Sequence, residues 1–110
     1  MAPLFLDPGL FNRRAALDAP VVLPDGAGGG ETVWQEIREM SVRIEPLSVQ
    51  SRERFNQREA TVTHRVLMRT NSVVERGMSF RLGGRRLVVL SVHDPDESGR
   101  YLVCRCEEER

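Results

Sequence analysis

The sequence predicts an all-β domain: a small antiparallel barrel of about six strands, with a long loop or short helix inserted between strands two and three. Three observations lead to this prediction. Apolar and polar residues alternate over several segments, as in strands that bury one face. Short runs rich in Gly, Pro and Asp separate these segments. The run "LVVLSV" is apolar on both parities, which predicts a strand that is central or covered on both faces. Curling into a barrel or sandwich removes the exposed edges of such a sheet.

The first two strands are predicted on either side of a glycine-rich turn. The segment "RRAALDAPVVL" (Arg13 to Leu23) reads as a strand in which Pro20 indicates an edge position or a bend. "PDGAGGG" supplies the positive φ angles that a tight turn needs. In the next segment Met40, Val42 and Ile44 share one face, but the residues before them fall on both parities. A β-bulge near Arg38 would explain that change, and a short helix from Thr32 is the alternative.

The second half of the chain predicts four more strands. From Ala60 to Thr70 the residues alternate, with Val62, His64, Val66 and Met68 on one face. The segments "MSFRL" and "RRLVVLSV" meet across Gly83-Gly84, a two-residue hairpin signal. "HDPDESG" predicts a turn before the last strand, on which Leu102, Cys104 and Cys106 share a face.

The segment between the second and third strands is long and polar. "SRERFNQREA" contains helix-favouring residues, and Ser48 or Ser51 could cap a helix start. Its apolar content is chiefly Val49 and Phe55, so it can bury little against its own barrel. We therefore expect this segment either to stay in solvent or to be ordered by a partner.

Length and composition limit the number of domains and the kinds of targeting segment that the chain could contain. The chain of 110 residues fits one domain, which we place at residues 13–110 with a loop at 46–59, after an N-terminal arm at residues 1–12. The formal net charge is +0, and all 16 basic residues are arginine. The apolar start is broken by Pro3 and Pro8 and has no basic region, so we expect neither a signal peptide nor a membrane span. Cys104 and Cys106 stand two apart on one strand, too far for an unstrained disulfide, which predicts free thiols and synthesis in a reducing cytoplasm.

No motif predicts catalysis, a cofactor or a metal site, and we expect a protein that is not an enzyme. The two cysteines lack the second ligand pair of a zinc site, so they are predicted core thiols. His64 is predicted to be a core or interface histidine and not a general base. "DPDESG" lacks the spacing of a calcium loop, and "GAGGG" is followed by no phosphate-binding Lys-Ser/Thr pair.

The arginines of the insertion are compatible with two kinds of binding partner. Arg52, Arg54 and Arg58 surround Phe55, an arrangement that could bind and stack on nucleic acid. Glu53 and Glu59 leave the segment only weakly positive, and aromatic residues are only 5% of the chain. Mixed arginine and glutamate also suit salt bridges between copies of the protein in a ring, and we favour that reading.

The order of these features resembles the head–tail joining proteins of tailed bacteriophages and gene transfer agents, also called head-closure or stopper proteins. The resemblance runs from about Arg13 to Glu109. It rests on an arginine-led first strand, a glycine-containing turn, "TVWQEI", the polar loop "SVQSRERFNQREA", the strand "TVTHRVLMR", and the final segment "ERGMSFRLGGRRLVVLSVHDPDESGRYLVCRCEE".

The resemblance implies a six-stranded antiparallel barrel that forms a hexameric or dodecameric ring. This ring would lie below portal and adaptor proteins and above tail-terminator or tail-tube proteins, in a virion assembled from chains made in the bacterial cytoplasm. The loop after the second strand would close the DNA channel and touch packaged double-stranded DNA without sequence preference, with no membrane involved. On this chain we assign that channel-facing role to Gln50, Arg52, Arg54, Phe55 and Arg58. An adaptor or tail-terminator subunit, and a small nucleic-acid-binding barrel, remain the alternatives.

Overall fold

Six antiparallel strands close into a barrel in the order β1-β2-β3-β6-β5-β4. The computed structural model describes residues 8–47, 62–70 and 73–109. Within them the architecture confirms the predicted all-β fold. A 3-10 turn (Pro8–Leu10) precedes the strands, which are β1 (Arg13–Pro24), β2 (Gly30–Pro46), β3 (His64–Arg69), β4 (Ser79–Leu82), β5 (Arg85–His93) and β6 (Tyr101–Glu108).

The hairpin of β1 and β2 is longer than the barrel. The two strands pair from Arg13, opposite Val42, to Pro24, opposite Gly30. β4 pairs with β1 only from Ala16 to Asp18. Residues 19–36 therefore leave the barrel wall as a two-stranded ribbon, which we call the hairpin extension. Pro20 lies in it with no partner on the β4 side, which confirms its predicted edge position because proline donates no backbone hydrogen bond.

The tip of the hairpin extension is a tight turn. Asp25 Oδ1 accepts a hydrogen bond from the backbone N–H of Ala27 at 2.8 Å and another from Gly29 at 3.2 Å. Gly26 and Gly28 have φ angles of 81° and 84°, which residues with a Cβ adopt only with strain. The turn that the glycine-rich sequence predicts is thus present.

A bulge explains the broken alternation in β2. Leu17 pairs with Arg38 and Asp18 with Glu36, so Ile37 is an extra residue between two consecutive pairs. The segment is a continuous strand, and the alternative of a short helix from Thr32 is wrong. A bulge also increases local twist, which reorients the strands as they leave the barrel.

The barrel interior is filled by the faces that alternation predicts. Met40 and Val42 are buried and Ile44 packs against them, and Cys104 and Cys106 are fully buried free thiols beside Leu102. Hydrophobic burial of this kind is the main favourable term in folding. The buried cluster consists of Ala15, Leu17, Met40, Val42, Val66, Met68, Val74, Phe80, Leu82, Leu87, Val89, Cys104 and Cys106.

The double-sided apolar pattern of β5 has two causes. β5 pairs with β4 on one side and β6 on the other, as the prediction of a central strand requires. In addition, Val89 pairs with Cys106 and Ser91 with Arg105, which leaves Leu90 as a bulge. Leu87 and Val89 face the core before that bulge, and Val92 packs against the core after it. The bulge shifts the inward parity by one residue.

The two remaining turns also form where the sequence predicts them. Gly83, with a φ angle of 57°, joins β4 to β5. Between β5 and β6, Asp94 Oδ2 accepts a hydrogen bond from the N–H of Gly99 at 2.7 Å, and Asp96 Oδ1 accepts one from Ser98 at 3.1 Å. These aspartates therefore close the turn by binding backbone donors.

Replacing Phe80 by Ala should lower the free energy of unfolding by about 3–5 kcal/mol, because the ring is fully buried and its loss leaves a cavity. Urea denaturation followed by circular dichroism measures the change. The matched control is Val22→Ala, at a side chain that is 65% exposed, which should change stability by less than about 0.5 kcal/mol. Equal effects of the two substitutions would contradict the position of the core.

Candidate functional site

The insertion between β2 and β3 leaves the barrel through a closed pair of stems. Pro46, the last residue of β2, pairs with His64, the first residue of β3. One step further, the N–H of Leu47 donates to the carbonyl of Thr63 at 2.9 Å. Val62 is 1% exposed, so the returning chain is already packed when it enters the barrel. β2 ends at Pro46 and β3 begins at His64, so Val62 and Thr63 precede the strand in which the sequence predicts them, while Ala60 and Thr61 lie outside the described residues.

The predicted channel-facing residues belong to this insertion. Gln50, Arg52, Arg54, Phe55 and Arg58 lie outside the described residues, and their role stays a prediction. What the structure gives is the position of the two ends between which they lie in sequence, Leu47 and Val62.

Polar contacts reinforce the stem on the β3 side. The N–H of Thr63 donates to the carbonyl of Cys106 at 2.8 Å, and its Oγ1 accepts a hydrogen bond from the N–H of Glu108 at 2.8 Å. These contacts continue the β3–β6 pairing past the last ladder residue. Threonine at this position therefore joins the insertion to the end of β6.

A charged group lies beneath the same stem. Arg85 donates from Nε and Nη2 to the two carboxylate oxygens of Glu108, at 2.9 and 3.2 Å. This hydrogen bonding raises the pKa of Arg85 above its ordinary value. His64 places Nε2 3.8 Å from Glu108 Oε1 and Nδ1 2.8 Å from Thr63 Oγ1. His64 is thus a part-buried histidine with polar partners in its own chain, and whether it also lies at an interface stays a prediction.

A second charged cluster lies where the hairpin extension leaves the barrel. Asp18 is 2% exposed, and its Oδ2 accepts hydrogen bonds from Arg81 Nε at 3.0 Å and Arg86 Nη1 at 2.9 Å. Its Oδ1 is buried and has no hydrogen-bond partner among the described residues. Burial by itself would raise the pKa of this carboxyl, but the hydrogen bonds and charges of Arg81 and Arg86 lower it overall.

The two arginines extend this cluster onto β2. Arg81 also donates to Glu36 Oε1 at 2.7 Å. Arg86 donates to Ser79 Oγ at 2.6 Å, and its guanidinium lies 4.5 Å from the ring centroid of Trp34, a cation–π distance. Contacts from β4 and β5 therefore reach both strands of the hairpin extension at its base.

A cleft opens beside this base, where β2 and β3 diverge. β2 pairs with β3 only from Arg43 to Pro46, while β1 alone accompanies the earlier part of β2. The cleft has a volume of about 550 Å³. Phe11, Met40 and Met68 give it an apolar lining, and its other residues are Arg14, Arg38, Glu39, Ser41, Arg69 and Thr70.

The described residues contain no grouping of three or more His, Cys, Asp or Glu side chains placed to hold a metal ion. No helix in the described ranges is long and apolar enough to cross a membrane.

Burial raises the pKa of the Cys104 thiol to about 12, and burial together with Cys104 raises the pKa of the Cys106 thiol. Both thiols therefore stay protonated and unreactive near neutral pH.

The Asp18 cluster was not predicted from the sequence, although one signal for it exists. Asp18 interrupts the apolar strand "AALDAPVVL", and a carboxylate there requires a buried partner. Its partners Arg81 and Arg86 stand more than sixty residues further along the chain, among 16 arginines from which sequence alone selects none.

Comparison with known proteins gives a family and a fold. A family model described as phage head completion protein matches residues 6–109. A chain in the virion of a native gene transfer agent particle is similar, with 26% identity and a TM-score of 0.61, over 89% of this chain and 94% of that chain. A Shigella flexneri 2a protein solved in solution has a TM-score of 0.75 at 18% identity, over 94% of this chain and 96% of that chain, which shows the fold alone. No curated protein matches the chain.

Replacing Asp18 by Asn should lower the free energy of unfolding at pH 7 by about 2 kcal/mol, the scale of a charged hydrogen bond such as the one Arg86 donates. The folded-state pKa of Asp18 lies below its ordinary value of 3.8, so its contribution is complete above that pH and is lost as the pH falls further. The stability difference between wild type and variant should thus shrink in acid, as denaturation at several pH values would show.

The matched control is Glu31→Gln, which removes an exposed carboxylate with no ion pair to another described residue. Glu31→Gln should leave stability within about 0.5 kcal/mol at every pH. An Asp18→Asn variant as stable as this control at pH 7 would contradict the role of the cluster.

Proposed function

The chain belongs to the phage head completion protein family, and from that premise we propose that it is the stopper of a head–tail connector. In this role copies of the chain form a ring in the virion, below portal and adaptor proteins and above tail proteins. The ring closes the DNA channel and provides the surface to which the tail attaches. No cofactor or catalytic group takes part.

The observation that carries the proposal is the anchored insertion. Its two stems are fixed by the bond between Leu47 and Thr63 and by the burial of Val62. A channel plug needs a firm base and an element that can take up two arrangements. The insertion has few apolar residues with which to pack on its own barrel. Displacing it from one arrangement to another should therefore cost little free energy.

The composition of the insertion suits contact with DNA or with neighbouring copies. Arg52, Arg54 and Arg58 can bind phosphate oxygens or carboxylates through paired N–H donors. Such contacts are individually weak, but a ring repeats each one in every subunit, which raises the total strength. A stopper therefore needs no strong site on a single chain.

The barrel also separates two tasks. The insertion departs at the end where Pro46 pairs with His64, while Arg69 pairs with Tyr101 at the other end of β3. The hairpin extension departs on the Arg69 side, since it precedes the paired part of β2. Channel closure and contacts between neighbouring proteins can thus use different ends of one subunit.

The sharpest test replaces Arg52, Arg54 and Phe55 together with Ala. We expect particles that carry this variant to lose packaged DNA, because the channel-facing element would lack its cationic and aromatic contacts. DNA retention is measured by nuclease protection in assembled heads, and tail joining by electron microscopy.

Arg76→Ala is the control, at an exposed arginine in the turn before β4. It should leave retention and tail joining unchanged. If the triple variant also retained DNA and joined tails normally, the stopper assignment would be overturned in favour of an adaptor or tail-terminator subunit.

A dedicated nucleic-acid-binding barrel is the second candidate, favoured by Phe55 among the arginines. Titration of the purified chain with single- and double-stranded DNA separates the two. As a connector subunit, the chain should bind both weakly, lose binding as salt rises and show no sequence preference. Tight or sequence-selective binding by the isolated chain would favour the second candidate.

A further inference from the structure

The hairpin extension exposes apolar side chains that its own chain does not cover. Among the described residues, the large hydrophobic side chains left exposed are Val22 at 65%, Leu23 at 48% and Ile37 at 42%. The first two lie near the tip of the extension and the third at its bulged base. Val21 and Val33, which pair with each other, are only half-buried. Several exposed apolar side chains on one projecting element are a feature of interaction surfaces.

The charge of the ribbon limits what it can bind. Residues 19–36 contain Asp25, Glu31 and Glu36 and no basic residue. Glu36 is already paired with Arg81, which leaves the acidic charge of the tip with Asp25 and Glu31. An occupant should therefore offer an apolar surface with positive charge beside it.

The cleft between β2 and β3 has that chemistry. Its lining combines Phe11, Met40 and Met68 with the guanidinium groups of Arg14, Arg38 and Arg69. Arg14 pairs with Glu39 at 3.6 Å, and Arg38 adds a positive charge that no carboxylate in the lining balances. The lining of the cleft thus combines a few apolar side chains with basic ones.

The two surfaces cannot meet within one chain. The hairpin extension is a paired ribbon whose base is fixed by the Asp18 cluster, and at about 3.3 Å per residue its tip lies roughly 20 Å beyond the barrel wall. The cleft lies beside the base of the same ribbon. A contact between tip and cleft must therefore join two molecules.

We propose that the tip of the hairpin extension of one copy docks in the β2–β3 cleft of the next copy. The contact is heterologous, because it joins different surfaces of identical chains, and such contacts generate a ring when the rotation between neighbours closes. This proposal rests on the proposed ring, and it names the surfaces that build it. The channel-facing insertion takes no part in the contact.

Cysteine cross-linking tests the contact directly. One full-length chain carries Leu23→Cys at the tip, and a second, distinguishable in mass, carries Thr70→Cys in the cleft. The native Cys104 and Cys106 are buried, so the wild-type chain should give no product. With a short bis-maleimide reagent at high protein concentration, the mixture should yield a mixed dimer several-fold above the products of either chain alone.

Gly84→Cys is the matched control for the cleft. An added Cβ at Gly84 meets no atom within 4 Å, and the residue lies in the β4–β5 turn at the opposite end of the barrel. It should give no mixed dimer with Leu23→Cys. No mixed dimer with Thr70→Cys, equal yield with Gly84→Cys, or a predominance of Leu23→Cys homodimers would each overturn the proposal.

Charge reversal provides a second readout. Within the cross-linking pair, Arg38→Glu in the cleft or Glu31→Arg on the tip should each abolish most of the mixed dimer, and the two together should restore it. Thermal melting confirms that each variant is folded, since both side chains are exposed. No loss with the single substitutions, or no recovery with the pair, would count against docking.

The outcome is separable from that of the stopper assignment. If the insertion is not a plug, the triple alanine variant retains DNA while the Leu23→Cys and Thr70→Cys chains still cross-link. If the docking proposal fails, cross-linking is absent while the triple variant still loses DNA.

Discussion

The carboxylate of Asp18 lies where the hairpin extension joins the barrel, and it ties the two together. It lies on β1 at the last pair that β1 makes with β4, and it receives Arg81 from β4 and Arg86 from β5. Those arginines in turn contact Glu36 and Trp34 on β2. An unpaired carboxylate at this depth would be costly, so its two cationic partners stabilise this arrangement of the strands.

The hairpin extension and the two ends of the insertion lie at different ends of the barrel. At one end, β2 and β3 part around the insertion, and Thr63 and the Arg85–Glu108 pair hold its stems. At the other, β1 and β2 continue as the hairpin extension. The buried cluster is continuous between them and includes the largest fully buried side chains, Phe80 and Leu17. This core therefore connects the base of the hairpin extension to the two stems of the insertion.

Alternation and turn chemistry predicted the strands, because both are local properties of the chain. They placed β1, the glycine-rich turn, the bulge in β2 and the Gly83-Gly84 hairpin within a residue or two. They could not show that β1 and β2 extend beyond the barrel wall, since that depends on where β4 stops pairing with β1. The Asp18 cluster and the cleft could not be predicted from the sequence for a similar reason. Both join residues that are distant along the chain, and the predicted channel-facing residues lie outside the described ranges.

The extra residue Ile37 has a consequence for symmetry. It lies where the hairpin extension joins the barrel, and bulges add twist to the strand that carries them. That twist helps to set the angle between a subunit and the copy its ribbon would reach. A repeated head-to-tail contact closes on itself at one angle and continues as an open helical filament at others. A single inserted residue in β2 would then help to decide whether the assembly has a finite number of members.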